Sequence, residues 1–178
     1  MTNTNFRAIR PVAGDFLPYY GTYIDKVPDG DVVETMKRQV PETLALIRSL
    51  PEADGDKRYA PDKWSIREMI GHIIDGERIF AYRALRFARA DATPVAGFDE
   101  NAYVANAPFS HVSLADLASE LEHVRASTAH FFANLDEEAF GRRGSANNAE
   151  ITVRALAYIL TGHEIHHLGV LRTRYLNT

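Results

Sequence analysis

Residues 151–176, ITVRALAYILTGHEIHHLGVLRTRYL, decide how this chain is read. Leu156, Ile159, Leu160 and Leu171 are among its apolar positions at helical spacing, and Thr152 stands where a helix cap belongs. The stretch therefore reads as one long helix reaching to about Tyr175. Within it, His163 and His167 lie four residues apart, which puts both imidazoles on one face a single turn from each other. A metal ion shared by two side chains of one helix needs that arrangement.

Working outward, three further stretches carry helical periodicity. Asp31 to about Leu50 holds Val32, Met36, Val40, Leu44 and Ile47, with Pro41 expected to kink or split the helix because it lacks an amide hydrogen. Ser65, with Glu68 three residues on, forms a capping-box pattern for a second helix. Met69, Ile73, Phe80 and Ala84 carry it to about Ala90. Ser113 caps a third, with Leu114, Leu117, Leu121, Val124, Thr128, Phe131 and Leu135 on its face. Between the second and third lies a long middle connection, residues 91–112, broken by Pro94, Gly97 and Pro108. In it FDENAYVAN reads as a short helix. Residues 51–63 and 141–150 read as loops, and residues 1–28, rich in Pro, Gly and Tyr, as an extended N-terminal arm. No strand-like alternation of useful length and no internal repeat is visible. The expectation is a single all-α domain over 1–178, a four-helix bundle.

Composition narrows the function classes. With 178 residues, 46% hydrophobic and 25% charged, the chain suits one soluble domain with a real core. A net charge of −4, spread along the sequence, gives no electrostatic reason to expect nucleic acid or an anionic membrane as partner. The absence of cysteine excludes disulfides, thiolate ligands and cysteine nucleophiles. The start lacks a signal-peptide core and no apolar run reaches membrane-spanning length, so a cytoplasmic location is expected.

The segment HEIHH also fits the HExxH pattern of zinc peptidases, but LGVLRTRYLNT, which follows His167, offers no His, Glu or Asp as a third ligand. A di-iron bundle needs Glu-x-x-His on two helices. That spacing occurs as Glu164 with His167 and Glu120 with His123, yet His123 falls off the apolar face of its helix. His111, His123 and His130 read as solvated. His72, on the side of Met69, Gly76 and Ile79, could instead point inward and complete a three-histidine site with an open position. Open sites suit catalysis, whereas structural zinc sites are closed by four protein ligands.

Three runs together, KWSIREMIGHIIDGERIFAYRALRFARAD, TPVAGFDENAY and ITVRALAYILTGHEIHHLGVLRTRYL, resemble the DinB-like family of metalloenzymes from about Tyr19 to Leu176. The resemblance rests on Trp-Ser at the start of the second helix, Gly-His in its first turns and the paired histidines of the last helix. It implies a four-helix bundle of up-up-down-down connectivity and a metal, zinc or nickel foremost, on His72, His163 and His167. It also implies a homodimer and chemistry with a low-molecular-weight thiol. One departure stands out: many relatives carry Gly-Gln just after the last metal histidine, where this chain has Gly169-Val170.

Other side chains are candidates for supporting roles. Glu164 is placed either beside the metal as a catalytic base or along the flank in a supporting bond. His166 is a spare donor or dimer contact. Trp64 packs the start of the second helix or touches substrate. Glu77 and Arg83 are candidates to pair with other charges, and Arg83 also to reach an anionic substrate. Asp99 and Tyr103 are further substrate-contact candidates. The leading expectation is a metal-dependent transferase whose ion stabilises a thiolate cofactor. The alternatives are a metal-dependent hydrolase, in which the ion lowers the pKa of a bound water, and a non-enzymatic stress-related metal-binding protein. A small-molecule substrate is expected in the first two.

Overall fold

Free amides at the start of each long helix are met by a side chain, and those caps set the element boundaries. In the computed structural model, which describes residues 5–176, Asp31 accepts from the amides of Val33 and Glu34 and opens α2 (Val32–Ser49). Ser65 and Glu68 form the expected capping box of α3 (Ile66–Ala88). Ser113 opens α5 (Leu114–Ala133), and Thr152 opens α7 (Val153–Val170), which continues as a π-helical turn over Leu171–Leu176. Shorter helices are α1 (Gly21–Ile24), α4 (Glu100–Asn106, the FDENAYVAN segment) and α6 (Glu137–Gly141).

The four long helices form the expected bundle. The contacts along them fix their directions. Gln39 and Thr43 meet Thr161 and Glu164 in the same order, so α2 and α7 run parallel. Arg67 reaches Val112, Arg78 pairs with Glu120, and Glu77 with Arg125, so α3 and α5 run parallel as well. His72 near the start of α3 lies against His163 and His167 near the end of α7, and Arg48 at the end of α2 pairs with Glu122 in the first half of α5. Directions therefore read up, down, down, up, where the resemblance implied up-up-down-down. The long middle connection is what allows α3 and α5 to be parallel, since it must return the chain along the whole bundle.

Three local readings change. Pro41 lies inside α2, which runs unbroken from Val32 to Ser49. One missing backbone bond is tolerated because Leu44 and Ile47 beyond it are buried in the core. Residues 141–150, read as a loop, contain most of a hairpin, β1 (Arg143–Ala146) paired antiparallel with β2 (Ala149–Thr152). Its two-residue turn is Asn147-Asn148, both at positive φ (53° and 61°), a conformation that asparagine tolerates and short hairpins prefer. The arm, within its described part, is not simply extended: it has 3-10 turns at Phe6–Ala8 and Pro18–Tyr20 before α1. It is tied down by Arg10, which donates to the carbonyls of Ile24 and Val27.

Apolar packing falls into two clusters along the bundle. One joins Met36, Phe80, Phe87, Phe132 and Leu156, and the other joins Ile47, Ile70, Leu117, Leu121 and Leu168. Polar side chains occupy the waist between them: Thr43, Glu77, Arg125, Thr161, His163 and Glu164 are all buried. No helix among the described residues is long and apolar enough to cross a membrane.

Candidate metal centre

The early turns of α3 and the late turns of α7 meet at that waist. The Nε2 of His163 lies 3.0 Å from Nε2 of His72 and 3.1 Å from Nε2 of His167. His72 and His163 are buried, and His167 is partly open. Two nitrogens on one tetrahedral zinc stand about 3.4 Å apart, so these spacings are close to those of a shared ion. As hydrogen bonds they are awkward, because Nε2 of His163 carries either one proton or one lone pair and faces two like partners. A cation accepting all three lone pairs resolves the arrangement.

Protonation is also set for a cation. Burial pushes His72 down to about 4. Burial, with the nearby imidazoles of His72 and His166, takes His167 to about 3. His163 is held well below its ordinary value by burial and then by its histidine neighbours. All three are neutral at physiological pH, which is the form that binds metals. Gly76 leaves the room that the His163 ring needs, since a Cβ there would sit 3.2 Å from its Cε1. Trp64 lies over His72 with ring centroids 4.6 Å apart, and Tyr23 sets its edge against His163 at 5.2 Å.

The histidines open into a cavity of about 480 Å³, within the range of small-molecule sites. Its walls include Tyr19, Tyr20 and Tyr23 from the arm, Phe80 from α3 and Phe98 from the middle connection. Gly162 lets the arm lie close: a Cβ there would fall 2.0 Å from the carbonyl oxygen of Tyr23. Arg83 lines the same cavity and is buried. Glu100 and Asn147 also line it. Neither was a sequence-based candidate; Asn147 comes from the hairpin turn, which that reading lacked.

Glu164 is placed elsewhere. It is buried, accepts from the hydroxyl of Thr43, and pairs with Arg125 at 2.9 Å, while Arg125 also pairs with Glu77 at 2.8 Å. Glu164 is not among the residues lining the cavity, so the base role gives way to the supporting one. The pairing expected of Glu77 is present, through Arg125; Arg83 forms no ion pair among the described residues. Arg125 itself went unnoticed in the sequence, although it sits four residues after Leu121 and three before Thr128 on the buried face of α5.

Tyr103 is nearly half exposed, packs edge-on against Phe98 at 5.2 Å and does not line the histidine cavity. Asp99 caps α4 through the amides of Asn101 and Ala102. His166 faces Tyr23 and His167 and lines a neighbouring groove together with Val170. His111, His123 and His130 are exposed, as expected.

A helical bundle with three imidazole nitrogens converging beneath an open cavity defines a class of mononuclear metal-site proteins. The family model of the DinB superfamily matches residues 35–171, and the chain belongs to that superfamily. A protein of Oceanobacillus iheyensis named a "putative metal-dependent hydrolase" is 27% identical over 147 residues, spanning 82% of each chain. The solved structure of YfiT from Bacillus subtilis, described as a "probable metal-dependent hydrolase with an unusual four-helix bundle topology", superposes with a TM-score of 0.70. That match covers 90% of this chain and 94% of YfiT at 16% identity, and so speaks to the fold.

Proposed function

We propose that this protein is a metal-dependent hydrolase acting on a small molecule, with one divalent ion, zinc or nickel, on His72, His163 and His167. The observation that carries the reading is the convergence of three neutral Nε2 atoms at the floor of a cavity. Three protein nitrogens would leave a four-coordinate ion one position for water or substrate, and all three histidines line the cavity. An ion held there supplies Lewis acidity and lowers the pKa of a water it binds. The chain's own residues do the rest. Trp64 and Tyr23 fix the imidazole rings, and Phe80 and the arm tyrosines limit access of bulk water.

The relative named for metal-dependent hydrolysis supports this reading over the thiol transferase expected from the resemblance. Both need the same open position, so one experiment separates them. The cobalt-loaded protein is titrated with pH and, separately, with small thiols. A spectral transition near neutral pH, with turnover of an activated ester or amide and no thiol-to-metal charge-transfer band, is the expected result. Saturable charge-transfer absorption on adding a thiol, without hydrolysis, would replace the hydrolase by the transferase.

A further inference from the structure

Three arginines are almost wholly buried, and two of them are neutralised. Arg125 has Glu77 and Glu164, and Arg67 has Glu52 and Asp56. Arg83, at 3% exposure, has no carboxylate partner among the described residues. Its Nη2 donates to the carbonyl of Ala96 at 3.1 Å, and its Nε has no partner. A guanidinium held out of water with a free donor and no counter-ion is unfavourable, and one backbone carbonyl does not neutralise its charge.

The environment is that of a receptor. Arg83 lies 5.6 Å from the ring centroid of Phe80 and 5.7 Å from that of Phe98, so it is flanked by aromatic rings. Phe80 is in turn 6.2 Å from the His163 ring. The guanidinium and the His163 ring can therefore be no further apart than these two spans laid end to end, a reach suited to a small molecule. Glu100 also lines the cavity, but it is exposed and forms no ion pair with Arg83.

We propose that Arg83 is the seat of the substrate's anionic group, so that the cavity takes a compact, largely apolar or aromatic molecule bearing an oxyanion, carboxylate or phosphate. Resting on the hydrolase reading, this names its substrate class: the oxyanion sits on Arg83, and the group to be cleaved faces the histidines. Arg83 thereby sets which end of the molecule is presented.

The test uses benzoate, phenyl phosphate and the neutral benzyl alcohol as probes, titrated by calorimetry into the metal-loaded and the metal-stripped protein. The metal-stripped arm matters because anions also bind metals directly. In both forms the better anion should bind at least about tenfold more tightly than benzyl alcohol, the share expected of a charge-assisted hydrogen bond. Which anion binds better tells carboxylate from phosphate. Arg83→Met should remove that preference while leaving one metal per chain, and Arg83→Lys should restore part of it. Equal affinity of the wild-type protein for anion and alcohol overturns the proposal, even if Arg83→Met fails to fold. So does an anion preference seen only with metal present and unchanged in Arg83→Met. A preference that persists without metal, alongside absent hydrolysis, would retain the anion site and sink the hydrolase reading alone.

Discussion

His163 and Glu164 adjoin in sequence and serve different parts of the molecule. His163 meets His72 and His167 at the cavity floor, whereas Glu164 is buried against Thr43 and Arg125. One residue along a helix turns a side chain by about 100°. Here that step separates a metal-binding face from an ion-paired one. The HExxH likeness of HEIHH is thus a coincidence of letters, because its glutamate does not share the histidines' cavity.

That separation gives a stability prediction. The cluster holds two carboxylates and one guanidinium, all 1% exposed. Arg125→Met leaves two buried carboxylates without a cation and should cost about 3–5 kcal/mol. Glu164→Gln leaves the Arg125–Glu77 pair intact and should cost only about 1–2 kcal/mol. Urea unfolding of the metal-stripped variants checks the order. Equal stability of Glu164→Gln and wild type, together with lost turnover, would restore the base role instead.

The metal site has its own optical reporter. Trp64 is the chain's one tryptophan, and it lies over His72. Its emission should change saturably as zinc or nickel is added to stripped protein, with nickel quenching more strongly, and reach its end at one ion per chain. His163→Ala, which removes the nitrogen shared by both close contacts, should weaken the affinity by at least about a hundredfold, since the ion's binding energy is divided among only three protein ligands. A stoichiometry and titration curve unchanged in His72→Ala, His163→Ala and His167→Ala would remove the site assignment.

The pH dependence of the metal-free protein follows from the same burial. The histidines titrate near 6.5 when unfolded, and His72 and His167 near 4 and 3 when folded. Between those values the unfolded chain binds more protons, so stability decreases as pH falls. The contribution is complete above about pH 6.5 and is lost on descending toward pH 4 and below, with a slope of up to about 1.4 kcal/mol per pH unit for each histidine. Urea midpoints from pH 7.5 to 4.5 measure it, and His72→Gln should flatten the slope. A stability independent of pH over that range would contradict neutral burial of the histidines.

Much of this was legible in the sequence because it depends on local rules. Caps at Ser65, Ser113 and Thr152, and the spacing of His163 and His167, are set within one or two helical turns. His72 was reachable only by assuming how α3 packs. What escaped depends on contacts distant in sequence. Arg125 is buried because Glu77 and Glu164 come to it from two other helices. Asn147 enters the cavity because the hairpin turns beside the middle connection, where Val95 bridges to Ala146. The Asn-Asn pair was the one local signal of that hairpin, and four-residue strands carry too little alternation to support it.

Gly162 links the arm to the cavity and supports the last prediction. Its missing Cβ is the space occupied by the carbonyl of Tyr23, on α1, and backbone cannot yield as a flexible side chain can. Gly162→Ala should therefore lift α1 from α7 and carry Tyr19, Tyr20 and Tyr23 away from the cavity. The helix itself should not suffer, since alanine is the better helix former by about 1 kcal/mol. The expected outcome is a folded bundle with full metal binding, faster amide exchange and proteolysis within residues 15–28, and weaker retention of small molecules in the cavity. Hydrogen exchange read by mass spectrometry distinguishes this from global destabilisation, which would raise exchange in α3 and α5 as well. Unchanged protection of the arm in Gly162→Ala would show that α1 is not held by this contact, and that the cavity's tyrosine wall is anchored through Arg10 instead.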